Sequence, residues 1–419
     1  MRTPITGTNP RATTAALACG ALLLAACGQG GPSAAGSKIS QDKIVLGVLN
    51  DQSGVYKDLS GPKSVDAVRM AVEDFKAKYA DKAVSKDITV ITADHQNKPD
   101  IANTKAQEMY DRQNADIILD VPTSSAALAV AEQAKAKKKL YFNIGAATTA
   151  LTNKSCNKYT FHYAYDTYML ANGSGTVVTA AGGKNWQIIY PDYAFGQDMT
   201  KSFTAAIEKG GGKVGNAIAT PFPNDNFATF LTKAAAAKPQ VIGAMQAGGD
   251  LVTLVKQFNE QKLGQQGIQL AAGLMFITDI HSAGVEQFQG VTFTDAWYWN
   301  FDDENRAWAA KFKAKTGQIP SFAHAANYSA AMQYLEAVQA VGTDGSDAVV
   351  ANLEGKKVND FFLRNGEFRA KDHRVIHDVY LAKVKPADQV KTEWDYEDII
   401  KTIPAADAFK PVAESTCVM

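Results

Sequence analysis

Residues 115–144 read ADIILDVPTSSAALAVAEQAKAKKKLYFNI. Ile117-Ile118-Leu119 is a short unbroken apolar run, which predicts a strand buried on both faces. Pro122 and the hydroxyl run Thr123-Ser124-Ser125 follow as a polar turn, and the Ala-rich segment 124–138 predicts a helix. Lys135, Lys137, Lys138 and Lys139 read as its solvated end. Residues 140–144 (LYFNI) return as a second strand. Strand, tight turn, helix and strand make a βαβ unit, whose strands lie parallel with the helix against one face.

The same alternation runs outward in both directions. Upstream, strands are predicted at 43–49 and 88–93 and helices at 65–76 and 100–112. Downstream of Tyr163 the pattern restarts. It gives helices at 167–181, 195–209, 226–237 and 250–261, and strands at 185–190, 213–219 and 240–245. A strand at 291–297, helices at 304–316 and 323–341 and a strand at 378–384 complete it. The fold class is therefore α/β, two doubly wound lobes of similar size. A chain of 419 residues is too long for one ordinary core and fits two domains. Such lobes bind ligands at the carboxyl ends of their strands, and a small molecule can be enclosed where those ends face each other.

Lys+Arg and Asp+Glu are both 43, hydrophobic residues are 46% and charged residues 21%. This is the balance of a soluble globular protein, with no basic excess to suggest nucleic acid. The one long apolar stretch is N-terminal. Arg2 and Arg11 precede a small and apolar run, and Leu24-Ala25-Ala26-Cys27 is followed by Gly28-Gln29-Gly30. This reads as a secretory leader over residues 1–26. Cys27 after Leu-Ala-Ala resembles the lipidated Cys of a bacterial lipobox; the alternative is a plain cleaved signal. Residues 27–42 read as a flexible tether. With Cys19 removed and Cys27 acylated, Cys156 and Cys417 remain. In an oxidising compartment they form a disulfide or stay as two buried free thiols, and the disulfide is the favoured reading.

No catalytic motif stands out, and no cofactor or metal site is expected. Lys209-Gly-Gly-Gly-Lys213 lies between a helix and a strand, the reverse of a phosphate-binding loop. His373 and His377 share an i,i+4 spacing but fall in a turn entering a strand. The informative positions are the turns after strands. Thr123, Ser124 and Ser125 offer hydroxyls at a helix N-terminus, a ready anion site. In the next turn, Gly145, Ala146 and Ala147 admit a ligand close to the backbone and Thr148 adds a hydroxyl. Together these turns can hold a carboxylate without a basic side chain.

Those turns, with Ile44–Leu49 and Asp51-Gln-Ser-Gly54, residues 65–75, Asp192-Tyr-Ala-Phe-Gly196 and Tyr328, resemble the leucine/isoleucine/valine-binding branch of the type I periplasmic solute-binding proteins of ABC importers. The resemblance covers roughly residues 43–400. It implies two lobes joined by three crossover segments, near 163–165, 297–300 and 377–378. The N-terminal lobe would be 43–163 and 300–377, the C-terminal lobe 164–299 and 378–403, and the tail 404–419. It implies a carboxylate on Thr123, Ala146 and Thr148, a first-loop aromatic at Tyr56 and a second-lobe aromatic at Phe195. The run Trp297-Tyr298-Trp299, with Tyr163, Tyr165 and Phe195, would suit a ring. One departure stands out. Amino-acid-binding members present an acid to the ligand's ammonium, and here the matching positions, Met275 and Phe276, are apolar, with Asp279 and Asp250 out of register. A ligand without a free amine follows.

The expected function is the extracytoplasmic substrate-binding component of an ABC importer, capturing a small carboxylate, an aromatic acid or a branched-chain amino acid, by clamp closure. The alternative is a lipoprotein that presents ligand to a membrane receptor. An enzyme is not expected. The expected partners are the ligand, a transporter permease and the membrane through the lipid on Cys27, with the chain a monomer outside the cytoplasm.

Overall fold

The computed structural model describes residues 39–419; residues 1–38, including the leader and Cys27, lie outside them. Strand β1 (Ile44–Asn50) is buried along its whole length. A strand buried on both faces needs helices on both sides and parallel neighbours. It has them. β1 lies in a parallel sheet of order β2-β1-β3-β4-β5, with β2 Ile88–Asp94, β3 Ile117–Asp120, β4 Leu140–Asn143 and β5 Thr160–His162. A second parallel sheet has the order β7-β6-β8-β9, with β6 Asn185–Pro191, β7 Lys213–Thr220, β8 Val241–Ala244 and β9 Gln269–Ala272. In both sheets strand order reverses beside the first strand, so each has a switch point at its carboxyl edge.

β10 (Thr292–Asp295) shares a core with the second sheet and leads a small antiparallel sheet. A short three-stranded sheet, β11 (Lys357–Val358), β12 (Gly366–Phe368) and β13 (Val375–Ile376), precedes β14 (Val379–Val384) and β15 (Glu397–Ile403), which pair beside β10. The long helix Phe322–Val341 returns to the first lobe, where Asn327 donates to Ser64 Oγ and Tyr328 to Asp74. Strand β9, the helix Ile277–Ala283 and strand β15 are additions to the sequence reading. β9 has four residues, too few for a period to show.

The helix expected over 167–181 is interrupted. It runs Thr167–Leu170, opens into a π turn over Ala171–Gly175 and resumes as Thr176–Ala180. Thr294 of β10 is the cause: its hydroxyl donates to Leu170 O at 3.1 Å and accepts from Ser174 N at 2.9 Å. A side chain inserted into the helical ladder produces such a bulge. Gly173 permits it, because a Cβ there would fall 2.1 Å from the Thr294 hydroxyl.

Where the chain passes between lobes, Arg374 is buried. It pairs with Asp166 at 3.0 Å, donates to His162 O at 2.6 Å and stacks over Phe409 at 4.2 Å. His377 Nε2 lies 2.7 Å from Ala164 O. Cys156 and Cys417 are joined by a disulfide, with Cα atoms 5.6 Å apart, so the C-terminal tail is fastened to the loop after β4.

Candidate functional site

The helix Ser124–Lys137 starts directly behind β3, so its first N–H groups point past the carboxyl edge of the sheet without intrahelical acceptors. Ser124 Oγ is buried and has no partner within the chain. Thr123 differs: its hydroxyl donates to Asn97 Oδ1, and Asn97 in turn donates to Asp51. Asp51 also accepts from Gly54 N and Tyr56 N, each at 2.8 Å. Thr123 thus anchors the loop that carries Tyr56, and the unengaged hydroxyl is that of Ser124. Ser125 is partly exposed on the same turn.

In the next turn, Asn143 Nδ2 donates to Ala146 O at 2.7 Å, and Thr167 N donates to Ala147 O at 2.9 Å. The Thr148 oxygen accepts from Ala150 N at 3.3 Å, which leaves its hydroxyl proton to be donated. Tyr165 donates to Gly145 O, so a crossover residue braces this turn.

The two lobes face each other around a cavity of about 10 Å³ lined by Tyr56, Leu59, Pro122, Gly145, Tyr165, Tyr193, Phe195, Ala247 and Leu274. Every one of these residues follows the carboxyl end of a parallel strand or lies in the first crossover. Of the residues expected to bind ligand, Tyr56 and Phe195 line the cavity, and the hydroxyl turns flank it through Pro122 and Gly145. Tyr163 and Trp297 are placed elsewhere. Tyr163 bonds Ser329 at 2.8 Å and packs against Phe142 and Phe362. Trp297 donates to Phe361 O at 3.1 Å and meets Trp308 edge-on. Both rings belong to the packing behind the crossovers, because their polar atoms and faces are already engaged there. Of the crossover aromatics expected to suit a ring, Tyr165 lines the cavity, and Tyr193 joins it there as an addition to the sequence reading. Tyr193 sits at the end of β6 where Thr123 sits after β3, a positional signal that the sequence contained.

Several contacts join the lobes across the cleft. Tyr56 and Tyr193 hydroxyls are 2.6 Å apart, and Gly249 N donates to Val55 O at 3.0 Å. Gly248 adopts φ 56°, and a Cβ there would fall 2.4 Å from Val55 O, so glycine is needed both for the backbone and for the approach. On the N-terminal side of the cleft, Thr149 N donates to Asp198 at 2.7 Å.

Met275 and Phe276 are buried. Phe276 stacks on Phe322 at 4.4 Å and meets Tyr165 edge-on. The two nearby acids are engaged by the backbone. Asp279 accepts from Phe276 N at 3.0 Å, and Asp250 accepts from Asn224 N at 3.1 Å. Burial pushes each carboxyl up to about 7. Neither lines the cavity, and no charged side chain does.

Comparison with known proteins places this geometry. The periplasmic binding protein family model matches residues 43–389. A periplasmic binding protein of Burkholderia mallei is 42% identical, with 90% of this chain and 98% of that chain covered at a TM-score of 0.86. A branched chain amino acid ABC transporter periplasmic ligand-binding protein of Burkholderia xenovorans is 35% identical, with 90% and 99% covered at 0.79. A solute binding protein of an ABC transporter from Rhodopseudomonas palustris, in complex with 3,4-dihydroxy benzoic acid, shares the fold at 23% identity, 87% and 98% coverage and a TM-score of 0.76. Comparison with the curated proteins finds no match.

Proposed function

The chain belongs to the periplasmic binding protein family, and we propose that it is the extracytoplasmic substrate-binding component of an ABC importer that captures a small aromatic carboxylate between its lobes. The carrying observation is the cleft wall. Tyr56, Tyr165, Tyr193 and Phe195 surround it without a charged side chain. Pro122 of the turn after β3 lines the cavity, and that turn leads into a helix N-terminus with the buried, unpartnered Ser124 hydroxyl. Rings suit a ring, and a carboxylate suits free N–H and O–H donors. An ammonium finds no acid in the cavity wall: neither Asp250 nor Asp279 lines it, and each accepts a backbone hydrogen bond outside it.

Capture works by closure. A cavity of about 10 Å³ holds no more than a water molecule, so the Tyr56–Tyr193 contact opens to admit a ligand. A ligand that touches both walls then favours the closed state over the open one. A permease reads closure as the signal to accept the ligand. The relative at 35% identity carries the name of an ABC transporter component, which supports this partner. Cys27, at the end of Leu24-Ala25-Ala26, is assigned as the lipidated N-terminus that holds the monomer at the membrane. Acylated Cys27 in the intact mass of membrane-extracted protein supports the anchor; a soluble mature form beginning elsewhere overturns it.

The function is tested by calorimetric titration with benzoate, 4-hydroxybenzoate, leucine and valine. Benzoate-type acids are expected to bind and the amino acids to bind poorly. Micromolar leucine or valine with inert benzoates overturns the aromatic-acid reading.

A further inference from the structure

Asp120 ends β3 at the carboxyl edge of the sheet and is fully buried. Its backbone is left-handed at φ 83°, and Val121 follows at φ 62°. A β-branched residue in that region is strained, and such strain concentrates at functional sites. One carboxyl oxygen, Oδ2, accepts from the Ser60 hydroxyl and from Asn50 Nδ2, the latter at 3.1 Å. The other, Oδ1, is buried without a partner. It stands behind the cavity wall: a Cβ added to Gly145 would fall 2.8 Å from Oδ1, and Gly145 lines the cavity.

No cation balances this carboxyl. Asn50 faces it from β1, Ser60 and Ser64 from the start of the helix Gly61–Tyr79, and Asn327 from the helix Phe322–Val341. Tyr141 of β4 and Tyr165 of the crossover are close enough to feel its charge, and burial keeps both phenols neutral. His324, bonded to Ser60 O, titrates at about 4 because of its burial and is neutral above that. Among the described residues, no Lys or Arg forms an ion pair with Asp120.

We propose that Asp120 is a specificity-determining residue of the cleft: it must carry a proton for the site to accept an anion. The inference rests on the carboxylate reading of the cleft. A protonated carboxyl keeps the wall behind Gly145 neutral. Ionised, Asp120 places a negative charge across one glycine from a carboxylate held by the Ser124 and Thr148 hydroxyls, in a dry site where like charges repel strongly. Burial already pushes its carboxyl up to about 6, against the pull of the Ser60 and Asn50 hydrogen bonds. The sign follows: below that pH the proton is present and anions bind, and above it the proton is lost and binding weakens.

The test is benzoate affinity by calorimetry from about pH 5 to about pH 8, a range in which an ordinary carboxylate ligand stays ionised. Wild-type affinity is expected to hold at the acid end and to fall by up to about tenfold per pH unit above the break. Asp120→Asn, always neutral, should bind with no break. Ser60→Ala removes a hydrogen bond that favours the ionised form and should move the break to higher pH, which decides the matter if Asp120→Asn does not fold. A flat wild-type profile, an unmoved break in Ser60→Ala, or the same break in Asp120→Asn overturns the proposal. Affinity that rises with pH and vanishes in Asp120→Asn overturns it in favour of a cation-binding carboxylate. No binding of any aromatic acid at any pH overturns the carboxylate reading as well.

Discussion

Behind β3 the chain turns through Pro122-Thr123 and enters its helix at Ser124; behind β6 it turns through Asp192-Tyr193 and enters its helix at Ala194. The two turns occupy the same place in their lobes. The first presents a hydroxyl and free N–H groups. The second presents Tyr193 and Phe195, whose rings lie 5.9 Å apart beside Phe222. The architecture fixes where a ligand meets each lobe, and the turn residues fix what it meets. Under the proposed function, one wall would anchor an anion and the other would cover a ring. On that reading polarity is divided between the lobes, neither half alone would satisfy the ligand, and closure would be favoured only when both are used.

This division can be broken at graded cost. The largest effect should be on stability and not on either wall. Cys156→Ser or Cys417→Ser opens a covalent loop of 261 residues' separation. The chain-entropy model assigns that loop about 5 kcal/mol. Thermal unfolding should show a large loss, while calorimetry at low temperature shows nearly unchanged affinity. A lost affinity with unchanged stability would mean that the tail belongs to the site.

The anchoring wall comes next. Ser124→Ala should weaken carboxylate binding by about 1–3 kcal/mol, because a ligand oxygen in a dry site loses its donor. Thr123→Val should act differently. It frees Asn97 and disturbs the Tyr56 loop, so its effect should appear for ring-bearing ligands and for stability together. Equal, purely affinity-based losses in both variants would return Thr123 to the role of direct ligand donor.

Closure is tested by Gly248→Ala. A residue with a Cβ at φ 56° costs about 1–2 kcal/mol, before its contact with Val55 O is counted. Affinity should fall and small-angle scattering with ligand should show a more open molecule than the wild type. A fully closed, tightly binding variant would show that the lobes meet elsewhere.

The smallest effect is expected from Tyr193→Phe on the covering wall. It removes the 2.6 Å contact to Tyr56 but keeps the ring. A loss of about 0.5–1.5 kcal/mol is expected, expressed as faster ligand release in stopped-flow displacement. A loss larger than that of Ser124→Ala would invert the division of labour between the walls.

Much of this was legible from residues 115–144 alone. The apolar run Ile117–Leu119, the hydroxyl turn and the Ala-rich helix gave a strand, a turn and a helix close to their observed limits. Tyr56 and Phe195 were implied by the family resemblance, and both line the cavity because each follows closely on the end of a strand. Tyr163 and Trp297 were misplaced because an aromatic in a crossover looks the same in sequence whether its ring faces the cleft or the packing behind it. The π turn was invisible too, since its cause, Thr294, lies more than a hundred residues away.

By itself, the sequence determined the alternation of strands and helices, the parallel sheets that follow from it and the carboxyl-edge position of the candidate site. Those properties depend on local periodicity and on turn chemistry, which neighbouring residues carry. Only the tertiary structure decided which hydroxyl is free, which rings meet and which carboxyl is left without a partner. Thr123 is engaged by Asn97, Ser124 by nothing, Tyr56 by Tyr193, and Asp120 has one oxygen satisfied and the other bare. Hydrogen bonds are short and directional, so their allocation depends on residues brought together from distant parts of the chain by packing.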